Sequence, residues 1–200
     1  MSNMSNVPSI PELERRMRPG AYSVMGFLGQ TESLETVVAE DSKTLKTLGI
    51  SHEQLADALE HVLRCVADQR DKLLEGDLPE YRKREGESLV PDLCHAESIP
   101  RFTVDNLPNT DVAYIVGSQL QVFIAQYRGL QECPWGCEYE HWSSFDFLIL
   151  NRQSCTCVTG PGLIVHLIRE HHFFEGLESP YRVDPAEVVQ VLELVAKGGR

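Results

Sequence analysis

The sequence contains no apolar run approaching the roughly 20 residues that a membrane-spanning helix needs. Its first eleven residues are polar and lack the apolar core of a secretory signal, so the expected compartment is the cytoplasm. In that compartment six cysteines are expected to be thiols or metal ligands rather than disulfides. Positive charge is also scarce. Lys plus Arg number 18 against 30 Asp plus Glu, a net charge of −12. The densest basic runs, Arg15-Arg16-Met17-Arg18 and Arg82-Lys83-Arg84, are short and lie near acidic residues. Phosphate backbones repel such a chain unless it segregates a basic face, so nucleic acid is an unexpected partner.

Several catalytic signatures are missing too. Gly160-Pro161-Gly162 has no P-loop lysine, and there is no Gly-x-Ser-x-Gly elbow. Neither His-Glu-x-x-His nor a deaminase-type His-x-Glu with Pro-Cys-x-x-Cys occurs. No internal repeat or low-complexity segment is visible. What remains is a chain of 200 residues with ordinary apolar and charged content, long enough for one domain or two small ones.

Residues 1–30 read as an irregular arm, because Pro8, Pro11, Pro19 and Gly20 interrupt helices. Tyr22, Met25, Phe27 and Leu28 still argue for packing of that arm on the body. Residues 31–110 read as a helical part with a connector. A first helix starts near Thr31 and stops at Gly49, which suits a left-handed cap. Ser51-His-Glu-Gln54 is a capping box for a second helix, with Leu55, Leu59, Val62, Leu63 and Val66 in one apolar stripe. The string from Leu48 to Ala56 has a helix-turn-helix flavour, but Glu53, Asp57 and Glu60 are wrong for a DNA-facing helix. The proline-rich connector, 76–110, carries Cys94-His95, a weak pattern for a nucleophile or ligand.

Residues 111–200 read as an antiparallel sheet and two helices. Val112–Val116 and Gln119–Tyr127 form a hairpin about a Gly117-Ser118 turn. Ser144–Leu150 and Ser154–Val158 form a second about Asn151-Arg-Gln153. The strand through Phe145 to Leu150 is apolar on both faces, which predicts a central place in the sheet. A helix is expected from about Leu163 to Phe174 with Gly176 as its cap. Asp184, Pro185 and Glu187 then open a last helix whose stripe is Val188, Val191, Leu192 and Val195. The fold class is α+β.

The pattern with most chemical content is Cys133-Pro-Trp-Gly-Cys137, followed by His166-Leu-Ile-Arg-Glu-His171-His172. Two thiols on a tight turn and two imidazoles on a helix end are the parts of a tetrahedral zinc site. Pro134 and Gly136 suit the turn. On an ideal helix His166 and His171 lie about 140° apart, so both reach one ion only if the helix changes pitch or ends there. A short 3₁₀ turn before Phe173 would serve.

Alternatives remain open at this level. His172 could replace His171, a set using Cys155 or Cys157 could form, or the thiols could be buried without metal. In a strand, i and i+2 side chains stand about 7 Å apart, which disfavours Cys155 and Cys157 on one ion. As a redox pair they are weaker than as inert thiols. Trp135, Tyr139, Trp142, Phe173 and Phe174 lie near the ligands in sequence and read as a shell around the metal, or as a partner-binding aromatic patch.

This order of knuckle, hairpin and helix with two histidines resembles the Cys2His2 zinc finger over residues 133–172. The resemblance implies a metal module in which Cys133 and Cys137 supply the knuckle and His166 and His171 the helix. The chain departs from it at the centre, where residues 138–165 make a 28-residue spacer in place of about 12. Leu163, Ile164, Leu167 and Ile168 also make the helix too apolar for a DNA groove. The chain is similar as well to a group of bacterial proteins without an established activity. They share a signature read here as Cys133-Pro-Trp135, His166-Leu-Ile-Arg-Glu-His171-His-Phe-Phe174 and Pro180-Tyr-Arg-Val183.

The expectation is a structural Zn2+ held by Cys133, Cys137, His166 and His171 in a cytoplasmic interaction or scaffold protein with a protein partner. It leans away from an enzyme. A metal-dependent hydrolase with an open site, using Glu138 or Glu170, is the first alternative, and a nucleic-acid-binding regulator the second.

Overall fold

The computed structural model describes residues 8–75, 113–137 and 143–196. The connector 76–110, Cys94-His95, Glu138, Tyr139 and Trp142 lie outside the described residues. Within the described residues, five helices and a four-stranded antiparallel sheet make an α+β arrangement.

The segment expected to be irregular contains helix α1, Ile10–Met17. Pro11 does not prevent it, because a proline in the first turn removes an N–H that has no helical partner anyway. Leu13 and Met17 are buried on its inner face. The chain then turns back, and the N–H groups of Phe27 and Leu28 both donate to the Met17 carbonyl. Gly26 permits this at φ +72, where a Cβ would sit 2.6 Å from the Pro19 nitrogen. Phe27 and Leu28 are buried as expected, whereas Tyr22 and Met25 are half exposed.

Helix α2, Leu34–Leu48, starts three residues later than Thr31, where the Ser33 hydroxyl caps it, and ends at Gly49 with φ +70. Helix α3, His52–Glu75, opens on the expected capping box: Ser51 accepts from the Gln54 N–H and Gln54 from the Ser51 N–H. Leu55, Leu59, Val62 and Val66 are its buried stripe.

The sheet is a meander in the order β1 (Tyr114–Val116), β2 (Leu120–Gln131), β3 (Ser143–Asn151) and β4 (Thr156–Pro161). The first hairpin closes on the Val116–Leu120 pair, so its turn has three residues, Gly117 to Gln119, rather than the two expected. The strand β3 is internal, and Phe147, Leu148, Ile149 and Leu150 are all buried. Phe147 and Ile149 join the main core, while Leu148 joins Phe123, Ala113 and Ala125 on the other face. The β2–β3 pairing is regular up to Gln126–Phe145, then slips before Gln131–Ser143, five residues along β2 for two along β3. The extra residues interrupt the ladder there, as a bulge does. The excursion that follows, from Glu132 onward, carries Cys133 and Cys137.

After β4 the chain enters α4, Ile164–His171, which is shorter than expected. It ends at His172, in the left-handed conformation at φ 54, and not at Gly176. That reversal drives Phe173 and Phe174, both 0% exposed, into the core. The last helix, α5 (Pro185–Val191), has the expected Asp184 cap, which accepts from the Ala186 and Glu187 N–H groups. It stops before the expected stripe is complete, leaving Val195 80% exposed. One apolar cluster joins residues of all five helices with one face of the sheet.

Candidate metal centre

The fold brings Cys133, Cys137, His166 and His171 together, with one donor atom from each lying within 4.8 Å of the others. This is the only such group of His, Cys, Asp and Glu among the described residues. Two elements supply it: the turn at the tip of the β2–β3 hairpin, and α4.

The turn is closed by the Gly136 N–H donating to the Cys133 carbonyl at 2.8 Å. Gly136 has φ +77, a conformation that any Cβ would strain. The backbone N–H groups of Trp135 and Cys137 are directed at the Cys133 sulfur. Burial pushes that thiol up to about 11, while the two N–H groups pull it back. Without a metal the buried sulfur is therefore a thiol, in a pocket of donors suited to a thiolate once a cation is present.

Helix α4 is buried over most of its surface, with Ile164, Leu167 and Ile168 each 0% exposed. Its axial position is tied to α3 by Arg169, whose guanidinium contacts Asp57 at 2.7 Å and Glu60 at 2.8 Å. His166 is buried in the middle turn, and His171 is half-buried at the last helical residue. The angular gap of five helical residues is met by the helix ending there. No 3₁₀ turn is used: the left-handed His172 follows at once. The two rings meet edge to face, with centroids 5.3 Å apart.

The His171 ring has a stacking partner. Trp135 stacks on it at a centroid distance of 3.9 Å and an interplanar angle of 2°. Trp135 also meets Phe173 edge-on at 5.6 Å. Burial, with His166 and His172 nearby, lowers the His171 pKa to about 4, and burial also lowers that of His166. Both imidazoles are neutral near pH 7, the state in which a ring nitrogen has a lone pair to give.

His171 Nε2 lies 3.3 Å from Cys133 Sγ and 3.3 Å from Cys137 Sγ. A neutral imidazole nitrogen either accepts one hydrogen bond or donates one. Two equidistant thiols oversubscribe it. The edges of a tetrahedron with arms of about 2.0–2.3 Å are about 3.3–3.8 Å long, so these contacts have the length expected between ligands of one zinc ion.

The competing residues lie elsewhere. His172 is not among the gathered donors and stacks on His52, with centroids 4.1 Å apart, in a contact that spacing along the chain could not reveal. Cys155 is an exposed turn residue at φ 53, and Cys157 packs beside the second apolar cluster of the sheet. Of the two carboxylates named for the hydrolase alternative, Glu170 is exposed next to His171 and Glu138 lies outside the described residues. The role of Trp135 as a ring-stacking partner, rather than one of several aromatics nearby, was hidden in the sequence. Its only signal was its place between two ligands. Among the described residues, no helix is long and apolar enough to cross a membrane. No protein-family model matches the chain, nor does any curated protein or solved structure, so these comparisons give no support to a likeness with the bacterial group.

Proposed function

We propose that Cys133, Cys137, His166 and His171 hold one Zn2+ ion, and that the ion clamps the tip of the β2–β3 hairpin onto α4. The convergence of both sulfurs on one His171 nitrogen at 3.3 Å is the observation that carries this reading. Mixed thiolate and imidazole donors in a tetrahedral arrangement favour zinc over magnesium or calcium, which take oxygen ligands. Four protein donors fill the shell and leave no position for substrate, so the metal is structural. A zinc ion there supplies a cross-link between segments some thirty residues apart. The protein's own groups do the rest. Gly136 closes the turn, the N–H groups of Trp135 and Cys137 stabilise the Cys133 thiolate, and Trp135 orients the His171 ring. Binding requires both thiols to lose their protons.

On this reading the chain is a zinc-stabilised cytoplasmic interaction or scaffold protein rather than an enzyme. Its net charge of −12 supports a protein partner over nucleic acid. Metal analysis of the purified chain, with melting before and after a strong chelator, tests it. One zinc per chain is expected. Chelation should lower the melting temperature by about 10 °C, since saturating ligand contributes about 4 kcal/mol and each kcal/mol shifts a chain of this size by roughly 2–4 °C. A metal-free protein, with Cys133→Ser melting unchanged, would overturn it. Passage through heparin without retention is expected at low salt.

A further inference from the structure

Building on the zinc reading, we infer that the centre is an oxidant-responsive latch: peroxide joins Cys133 to Cys137 as a disulfide, expels the zinc and frees the hairpin tip from α4.

The geometry separates two roles. Cys137 is half-buried, open to a small solute, while Cys133 is buried behind it. Their sulfurs belong to a group whose donor atoms all lie within 4.8 Å of one another, and both touch the same His171 nitrogen. Only three residues separate them, one of them the unhindered Gly136. An accessible thiolate beside a resolving one is the arrangement in which oxidation stops at the reversible disulfide.

The chemistry balances with hydrogen peroxide as oxidant. The Cys137 thiolate attacks one peroxide oxygen, the O–O bond breaks, and hydroxide leaves to become water on gaining a proton. Cys137 is now a sulfenic acid. The Cys133 thiolate attacks its sulfur, the S–O bond breaks, and a second hydroxide leaves as water. The two sulfurs have lost two electrons and peroxide has gained two. Zn2+, left with two neutral imidazoles, dissociates.

The consequence is local, because the two sides of the latch are anchored differently. Helix α4 keeps Ile164, Leu167 and Ile168 in the core and Arg169 on Asp57 and Glu60. The turn has no comparable apolar anchor apart from Cys133, the buried Pro134 and the Trp135 stack. Oxidation therefore alters the surface at the hairpin tip without unfolding the body.

The sequence supplies a clean assay. Trypsin cuts after Arg128 and Arg152, and the peptide between them contains Cys133 and Cys137 and no other cysteine. The zinc-loaded full chain is treated with hydrogen peroxide, released zinc is read with a colorimetric chelator, and this peptide is weighed. One zinc per peptide lighter by two hydrogens is expected, reversed by dithiothreitol plus zinc, with the same response in Cys155→Ser. A zinc-loaded chain that keeps its metal and its reduced peptide, at peroxide levels that oxidise Cys155, would overturn the latch and leave the zinc reading standing. A peptide that gains oxygen atoms instead of losing hydrogens would do the same. A chain isolated without zinc would overturn both.

Discussion

His166 rides on a helix whose neighbours Ile164, Leu167 and Ile168 are fully buried, whereas Cys133 and Cys137 ride on a turn at a hairpin tip, flanked by the exposed Glu132 and Gly136. The first half of the centre is placed by the hydrophobic core. The second is placed by one backbone hydrogen bond, the burial of Cys133 and Pro134, a ring stack and, on the proposed reading, a metal. Burial of three aliphatic side chains supplies several kcal/mol, while a single turn hydrogen bond contributes about 1 kcal/mol. A cross-link from the strong half to the weak one therefore stabilises mainly the weak one. Loss of the metal should free the turn and leave the helix in place.

The largest effect that separates the halves should come from Leu167→Ala. It removes a fully buried side chain from α4 and should cost about 2–5 kcal/mol in urea denaturation, with or without zinc. Cys137→Ser comes next. Zinc content should fall to near zero, and the variant should melt where the chelated native chain melts. If chelation lowers the melting point of this variant further, the metal has another home. Trp135→Ala should leave the ligands in place but release the His171 ring, weakening zinc affinity by about 10–100-fold in a competition titration. Arg169→Gln should have the smallest effect. Its ion pairs with Asp57 and Glu60 are partly exposed, so about 1 kcal/mol or less is expected, with zinc content unchanged. A large loss of zinc in that variant would show that α4 depends on more than its core.

Much of the strong half was legible in the sequence, because apolar periodicity reports burial. The stripe Leu55, Leu59, Val62 and Val66, the central strand Phe147–Leu150 and the caps at Ser51, Gly49 and Asp184 follow from local rules. Helix α1 was obscured by Pro11, since a proline read alone signals a break and only its place in the first turn makes it compatible. The stop at His172 was obscured for a similar reason. A left-handed residue is expected to be Gly or Asn, and here the burial of Phe173 and Phe174 overrides that preference. In the centre itself, spacing singled out the four residues that the fold gathers. It could not separate His171 from His172 beyond spacer length, because the contact that takes His172 away is with His52, on another helix. Which aromatic orients the His171 ring is likewise a tertiary fact.

The central claim is that one metal joins the two halves. X-ray absorption at the zinc edge of the purified full chain tests it directly. The account predicts one zinc with two sulfur scatterers at about 2.3 Å and two imidazole nitrogens at about 2.0 Å. Zinc surrounded by four sulfurs, zinc with oxygen in place of either pair, or no zinc at all would contradict it.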